Sequence, residues 1–163
     1  MLTFLNLEAE GFCSIESLHL QLNPTCTILI KAPNGKGKST MLSALVGAIY
    51  GKNLKGVSEV NTWKQVRPKD YKGTKVQVYF QKDSHTYKIV RCQKYDEVLE
   101  DGAKGKDRLI FMKDGDIVDI KGKGKIQDFI NREIGLSYTL FMNSIMFGQG
   151  IKRLIQESNS DKK

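Results

Sequence analysis

Apolar and polar residues alternate over Phe4-Leu5-Asn6-Leu7-Glu8-Ala9-Glu10 and again over Ile15-Glu16-Ser17-Leu18-His19-Leu20-Gln21-Leu22. A period of two predicts two half-buried strands, joined by the turn-like Gly11-Phe12-Cys13-Ser14. After Asn23-Pro24 the alternation gives way to Thr27-Ile28-Leu29-Ile30, an apolar, β-branched run that predicts a buried strand ending near Ala32. Met41 to Ile49 follows a helical pattern, with Gly51 placed to end it. Periodicity lapses from Lys52 to Lys72, where Pro68 stands among charged residues, and a long surface connection is expected. Thr74–Phe80 and Thr86–Cys92 then flank Lys82-Asp83-Ser84-His85 as a hairpin. Arg108–Met112 and Asp116–Ile120 flank Lys113-Asp114-Gly115 as another, and Glu100 to Lys106 reads as a polar loop. From Lys125 the period changes: Ile126, Phe129, Ile130 and Ile134 share one helical face, and Gly135 ends that helix. Ser137 caps a second helix carrying Leu140, Phe141, Ile145 and Met146, and a last helical pattern covers 151–157. The expected organisation is a single α/β lobe over 1–157 with a polar tail, 158–163, where a further helix would begin.

The predicted strand at Thr27 leads into Ala32-Pro33-Asn34-Gly35-Lys36-Gly37-Lys38-Ser39-Thr40, and the helical pattern follows at once. Strand, glycine-rich turn and helix in that order are the setting of a phosphate-binding P-loop. Gly35 and Gly37 permit backbone turns that aim successive N–H groups at one anion, and the helix start adds its own unpaired N–H groups and positive dipole end. Asn34 through Thr40 form the candidate nucleotide site, with Lys38 reaching the β- and γ-phosphates and the Ser39 hydroxyl on Mg²⁺. Ala32 stands where the strict motif has its first glycine. Lys121-Gly122-Lys123-Gly124-Lys125 has a similar look, but Ile126 replaces the Ser/Thr and no long apolar strand precedes it. It is not read as a second P-loop.

Composition narrows the partners. The 163 residues carry 40% hydrophobic and 27% charged side chains and a net charge of +8, which suits one globular domain with a positive surface. The basic residues are clumped among glycines at Lys52/Lys55, Lys104/Lys106 and Lys121/Lys123/Lys125, and each clump reads as an exposed loop. Together they make the phosphate backbone of double-stranded DNA a reasonable partner. Cys13, Cys26 and Cys92 lack metal-site spacing and read as reduced thiols, while His19 and His85 are isolated. No run approaches a membrane span, and no basic segment precedes an apolar one at the N-terminus.

The order of these elements resembles the N-terminal half of the SbcC-type double-strand-break repair ATPases, coiled-coil relatives of the SMC proteins within the ABC ATPase superfamily. Phages carry a version as a recombination-endonuclease subunit. The resemblance rests on Gly11-Phe12-Cys13-Ser14, on Asn34 to Thr40, on Ile134-Gly135-Leu136-Ser137-Tyr138-Thr139-Leu140-Phe141, and on Asn143-Ser144-Ile145-Met146-Phe147-Gly148-Gln149-Gly150. It implies an ABC/SMC-type N-terminal ATPase lobe with a mixed or antiparallel sheet and a helical Q-loop region. Gln149 would then be the Q-loop glutamine, catalytic with Lys38 and contacting Mg²⁺ with Ser39; an amide ligates through oxygen and donates through nitrogen. The implied cofactors are ATP and Mg²⁺. The implied partners are a C-terminal half of the same ATPase, a second subunit closing an ATP sandwich, a nuclease subunit and double-stranded DNA, in a bacterial or phage-infected cytoplasm. Cys13 departs from the basic residue that many cellular members carry at that turn. The family's signature motif, Walker-B acidic pair and switch histidine have no counterpart in this sequence, so binding of nucleotide without complete hydrolytic machinery is expected. A P-loop regulatory or nucleic-acid-binding module outside any SMC-like ATPase is the alternative reading.

Overall fold

The computed structural model describes residues 1–22, 25, 27–58 and 70–145. In chain order the elements are β1 (Leu2–Phe12), β2 (Ile15–Gln21), α1 (Lys38–Tyr50), β3 (Thr74–Lys82), β4 (His85–Gln93), β5 (Tyr95–Val98), β6 (Lys104–Lys106), β7 (Leu109–Lys113), β8 (Asp116–Ile117), α2 (Lys123–Ile134) and α3 (Tyr138–Ser144). Six strands form one sheet in the order β2-β1-β3-β4-β7-β8, and every neighbouring pair is antiparallel.

Period-two alternation sorts the side chains of this sheet onto two faces. Leu7, Ala9, Val76, Val78, Phe80, Ile89, Leu109 and Phe111 point to one face, where they form a single core with Ala44, Val46, Ala48 and Ile49 of α1, Ile130 and Ile134 of α2, and Phe141 of α3. Aromatic rings link the layers. Phe80 stacks on Tyr87 at 4.9 Å, Phe4 meets Phe80 at 6.2 Å edge-on, and Phe111 meets Phe129 at 5.4 Å. The opposite face holds a smaller cluster of Val90, Cys92, Tyr95 and Ile110, covered by the β5–β6 ribbon. The β3–β4 and β7–β8 hairpins, the α1 span and its Gly51 cap, and the Gly135 and Ser137 boundaries all match the sequence expectation.

Several expectations are corrected. Thr27 to Ala32 forms no strand; Ile28 is 41% and Leu29 74% exposed. A strand apolar on both faces needs hydrogen-bonded neighbours, and the described residues supply none there. Tyr95–Val98 is a strand that no apolar alternation announces, since only Tyr95 of Tyr-Asp-Glu-Val is buried. Its partner takes in Lys104 and Lys106, so that basic clump is an exposed strand and not a loop; likewise Lys123 and Lys125 lie in the first turn of α2. The strand expected over Asp116–Ile120 shortens to Asp116–Ile117, and Leu140 and Ile145 are exposed while Phe141 and Met142 are buried. The expected helix at 151–157, the polar tail and residues 59–69 of the expected connection, Pro68 among them, lie outside the described residues. No described helix is long and apolar enough to cross a membrane.

Phe80 has no exposed surface and contacts rings from two strands. Phe80→Ala is expected to cost about 3–5 kcal/mol, because the cavity cannot collapse between packed strands. Urea unfolding checks this, and a loss below about 1 kcal/mol would contradict the core assignment.

Candidate nucleotide-binding site

The loop before α1 is built by two residues with left-handed backbone. Gly35 has φ 79° and Gly37 has φ 85°, a conformation that a Cβ disfavours by roughly 1–2 kcal/mol. A turn closes from Lys36 N to Pro33 O at 3.3 Å, and the first helical bond runs from Met41 N to Gly37 O at 3.0 Å. The amides of Lys38, Ser39 and Thr40 precede the helical ladder and have no intrahelical acceptor. Gly37 occupies the N-cap without a side-chain cap, and the first turn contains no acidic residue. Most helix starts in proteins are capped by Ser, Thr, Asp or Asn, or carry a carboxylate nearby. This one has neither, an arrangement that suits an outside anion.

Lys38 sits in the first turn, and its ammonium folds back over the loop. Nζ donates to Pro33 O at 2.9 Å and also to Ala32 O. The Lys38 ammonium is therefore held against the loop, while Lys36 of the same loop is exposed. Asn34, Gly35, Lys36 and Ser39 are exposed, while Gly37, Lys38 and Thr40 are half-buried. The structure thus brings together every residue of the Asn34–Thr40 candidate set. The set carries two hydroxyls, the exposed Ser39 and the half-buried Thr40. Among the described residues no group of three or more His, Cys, Asp or Glu could hold a metal alone.

The turn between β1 and β2 is part of the same neighbourhood. A Cβ added at Gly37 would lie 4.0 Å from Ser14 Oγ, so the first hairpin abuts the loop. Cys13, at φ 53°, is buried, and burial pushes its thiol pKa up; it supplies no charge where the resemblance places a basic residue. Gly47 lies against Phe12, whose ring would be 3.0 Å from an added Cβ, and that close approach seats α1 on β1.

Two functional candidates missed by sequence reasoning are Ser14 and Arg91. Ser14 had a signal only as part of the turn. Arg91 had a clearer one: it follows Tyr87 and Ile89 on the inward-facing register of β4, where an apolar side chain is due. Its Nε and Nη2 donate to Ala48 O and Ile49 O, each at 3.2 Å, at the far end of α1. Burial pushes the guanidinium pKa down to about 10, which leaves it charged at neutral pH. The basic residues divide into two places. Lys104 and Lys106 lie on the ribbon over the outer face of the sheet, whereas Lys121, Lys123 and Lys125 lie at the start of α2 on the helical face. Gln149 lies outside the described residues, five positions beyond the end of α3.

Comparison with known proteins follows this geometry. The family model described as AAA domain matches residues 6–163. The chain is 27% identical over 161 residues to the probable DNA double-strand break repair Rad50 ATPase of Aquifex aeolicus, covering 98% of this chain and 16% of that protein. It is 28% identical over 133 residues to exonuclease subunit 2 of Escherichia phage RB69, covering 80% and 21%. It spans about a sixth to a fifth of the length of these curated relatives. A solved structure from work on ATP-driven dimerization and DNA-stimulated activation of SMC ATPases superposes with TM-score 0.50 at 20% identity, covering 83% of this chain and 81% of that one; this likeness supports the fold alone.

Backbone strain at the loop is open to a direct check. Gly37→Ala meets no steric obstacle, since the nearest atom is 4.0 Å away, yet it should lose roughly 1–2 kcal/mol through φ alone. Gly124→Ala, in open space inside the first turn of α2, should instead gain about 0.5–1 kcal/mol. Equal stability of the two variants in a denaturant titration would contradict the left-handed assignment.

Proposed function

The chain belongs to the AAA domain family, and on that premise we propose that it is the ATP-binding N-terminal part of a DNA repair or recombination ATPase that powers a partner nuclease. The observation that carries this reading is the uncapped, acid-free start of α1, with Gly35 and Gly37 left-handed and Lys38 folded over the same loop. Backbone amides would take the phosphates, Lys38 would neutralise the β- and γ-oxygens, and Ser39 would contribute to Mg²⁺. Phosphoryl transfer also needs an acidic metal ligand and a group that orients water. Gln149 is proposed for metal and water contact, and the remaining groups are assigned to a complementary C-terminal segment.

Thr27 to Ala32 supports the need for a complement. Ile28 and Leu29 are exposed beside the loop that they lead into. Sheet neighbours from a C-terminal half of the same ATPase would bury them and brace the loop, and a second subunit would cover the nucleotide. The phage relative's name, exonuclease subunit 2, supports a nuclease partner.

Double-stranded DNA is proposed as a further partner. Lys121, Lys123 and Lys125 cluster at the start of α2, which has an uncapped N-terminus and no acidic residue in its first turn. Cations at that end oppose the helix dipole, so helix stability does not account for them. An external polyanion does.

Lys38→Ala is expected to weaken binding of a fluorescent ATP analogue with Mg²⁺ by about 10- to 100-fold, the loss of charge-assisted bonds to phosphate, with an unchanged circular dichroism spectrum. Unaltered affinity would contradict the assignment of the loop. For DNA, each neutralised phosphate adds about 0.9 to the slope of log affinity against log salt. Replacing Lys121, Lys123 and Lys125 by Gln should flatten that slope while leaving nucleotide affinity alone. Replacing Lys104 and Lys106 tests the outer face separately. A slope that neither set alters would move DNA contact off these lysines.

A further inference from the structure

The end of α1 remote from the phosphate loop is held by side chains from two other elements. Gly51 N donates to Gly47 O at 2.9 Å, and the next two carbonyls, Ala48 O and Ile49 O, accept from Arg91 Nε and Nη2. The same Nη2 donates to Gln127 Oε1 at 2.5 Å. Gln127 Nε2 in turn donates to Ile49 O and to Asn131 Oδ1, both at 3.0 Å. One guanidinium therefore joins β4, the last turn of α1 and the first turns of α2. The fit is close: a Cβ at Gly51 would lie 2.9 Å from Arg91 Nη1, and Gly51 itself is left-handed at φ 68°.

Apolar packing alone gives no reason for this arrangement. Arg91 shares the inward face of β4 with Tyr87 and Ile89, and among the described residues it enters no ion pair. A cation drawn out of water must be compensated, and an apolar side chain packs such a position at no such cost. The compensation here comes from the negative end of the α1 dipole and two of its orphan carbonyls. A planar fork reaches both carbonyls and Gln127 at once, which the single ammonium of a lysine does not. What the fork adds is a defined position of α1 along its own axis. An α-helix transmits an axial displacement along its length, so the donors that face phosphate at Lys38 move with the carbonyls held by Arg91.

We propose that Arg91 is a positioning residue for the phosphate site: it sets α1 from the opposite end and, through Gln127, ties that setting to α2. The proposal rests on the nucleotide reading of the Asn34–Thr40 loop. Its consequence is that occupancy at the start of α1 alters the placement of α2 as long as the Arg91–Gln127 bridge is intact.

The test uses the full chain, with two readouts: affinity for a fluorescent ATP analogue with Mg²⁺, and hydrogen exchange of the α2 amides with and without nucleotide. In wild type, nucleotide should change exchange in α2. Arg91→Lys should bind about tenfold more weakly, the loss of a charge-assisted bond, and lose the α2 response. Gln127→Ala keeps Arg91 on the α1 carbonyls; it should bind more tightly than Arg91→Lys yet also lose the α2 response, and it decides the matter if Arg91→Lys does not fold. Wild-type affinity and response in the variants would overturn the proposal, as would a wild type that binds nucleotide with no change in α2. A folded wild type that binds no nucleotide overturns the nucleotide reading, and this proposal with it.

Discussion

Helix α1 must leave one end chemically open and close the other. At its start Gly37 offers no side-chain cap, and the first turn contains no acidic residue. At its end Gly51, Arg91 and Gln127 satisfy the carbonyls of Gly47, Ala48 and Ile49. A helix short of donors' partners at its N-terminus is less stable by the missing caps. Burial offsets that: Ala44, Val46, Ala48 and Ile49 have no exposed surface against the sheet. The six-stranded sheet, the two later helices and the aromatic chain through Phe80, Tyr87 and Phe111 all serve to hold this one helix in place.

The same dependence bears on the segment that leads into α1. Among the described residues the antiparallel sheet ends at β2, whose only partner there is β1, and Thr27 to Ala32 passes without joining it. Short-range pattern identified that segment as apolar and β-branched, which is a statement about what it would bury. Whether it pairs is a property of its neighbours. Ile28 and Leu29 are exposed beside the loop before α1.

Much of the rest was legible in the sequence, for physical reasons that also mark its limits. β1, β3, β4 and β7 were readable because one face of each is buried, so alternation survives in the residue types. Helix ends were readable where glycine takes a left-handed cap, at Gly51 and Gly135. The turn before α1 was readable because its left-handed backbone at Gly35 and Gly37 favours glycine. β5 and β6 were not, because Tyr95 and Gly105 alone are buried in that ribbon and carry no period. Arg91 was missed because an inward-facing cation looks like an error in a strand pattern; only the tertiary structure supplies the helix end that it meets.

The central claim is that the amides at the start of α1 receive the phosphates of a nucleotide. The most direct measurement is an amide chemical-shift titration of the isotopically labelled chain with Mg-ATP. The account predicts that the largest changes fall on Gly35, Lys36, Gly37, Lys38, Ser39 and Thr40 and saturate together. Absence of change in that segment, with the shifts instead gathered on the outer-face residues Val90, Ile110 and Met112 that line a cavity of about 290 Å³, would contradict it.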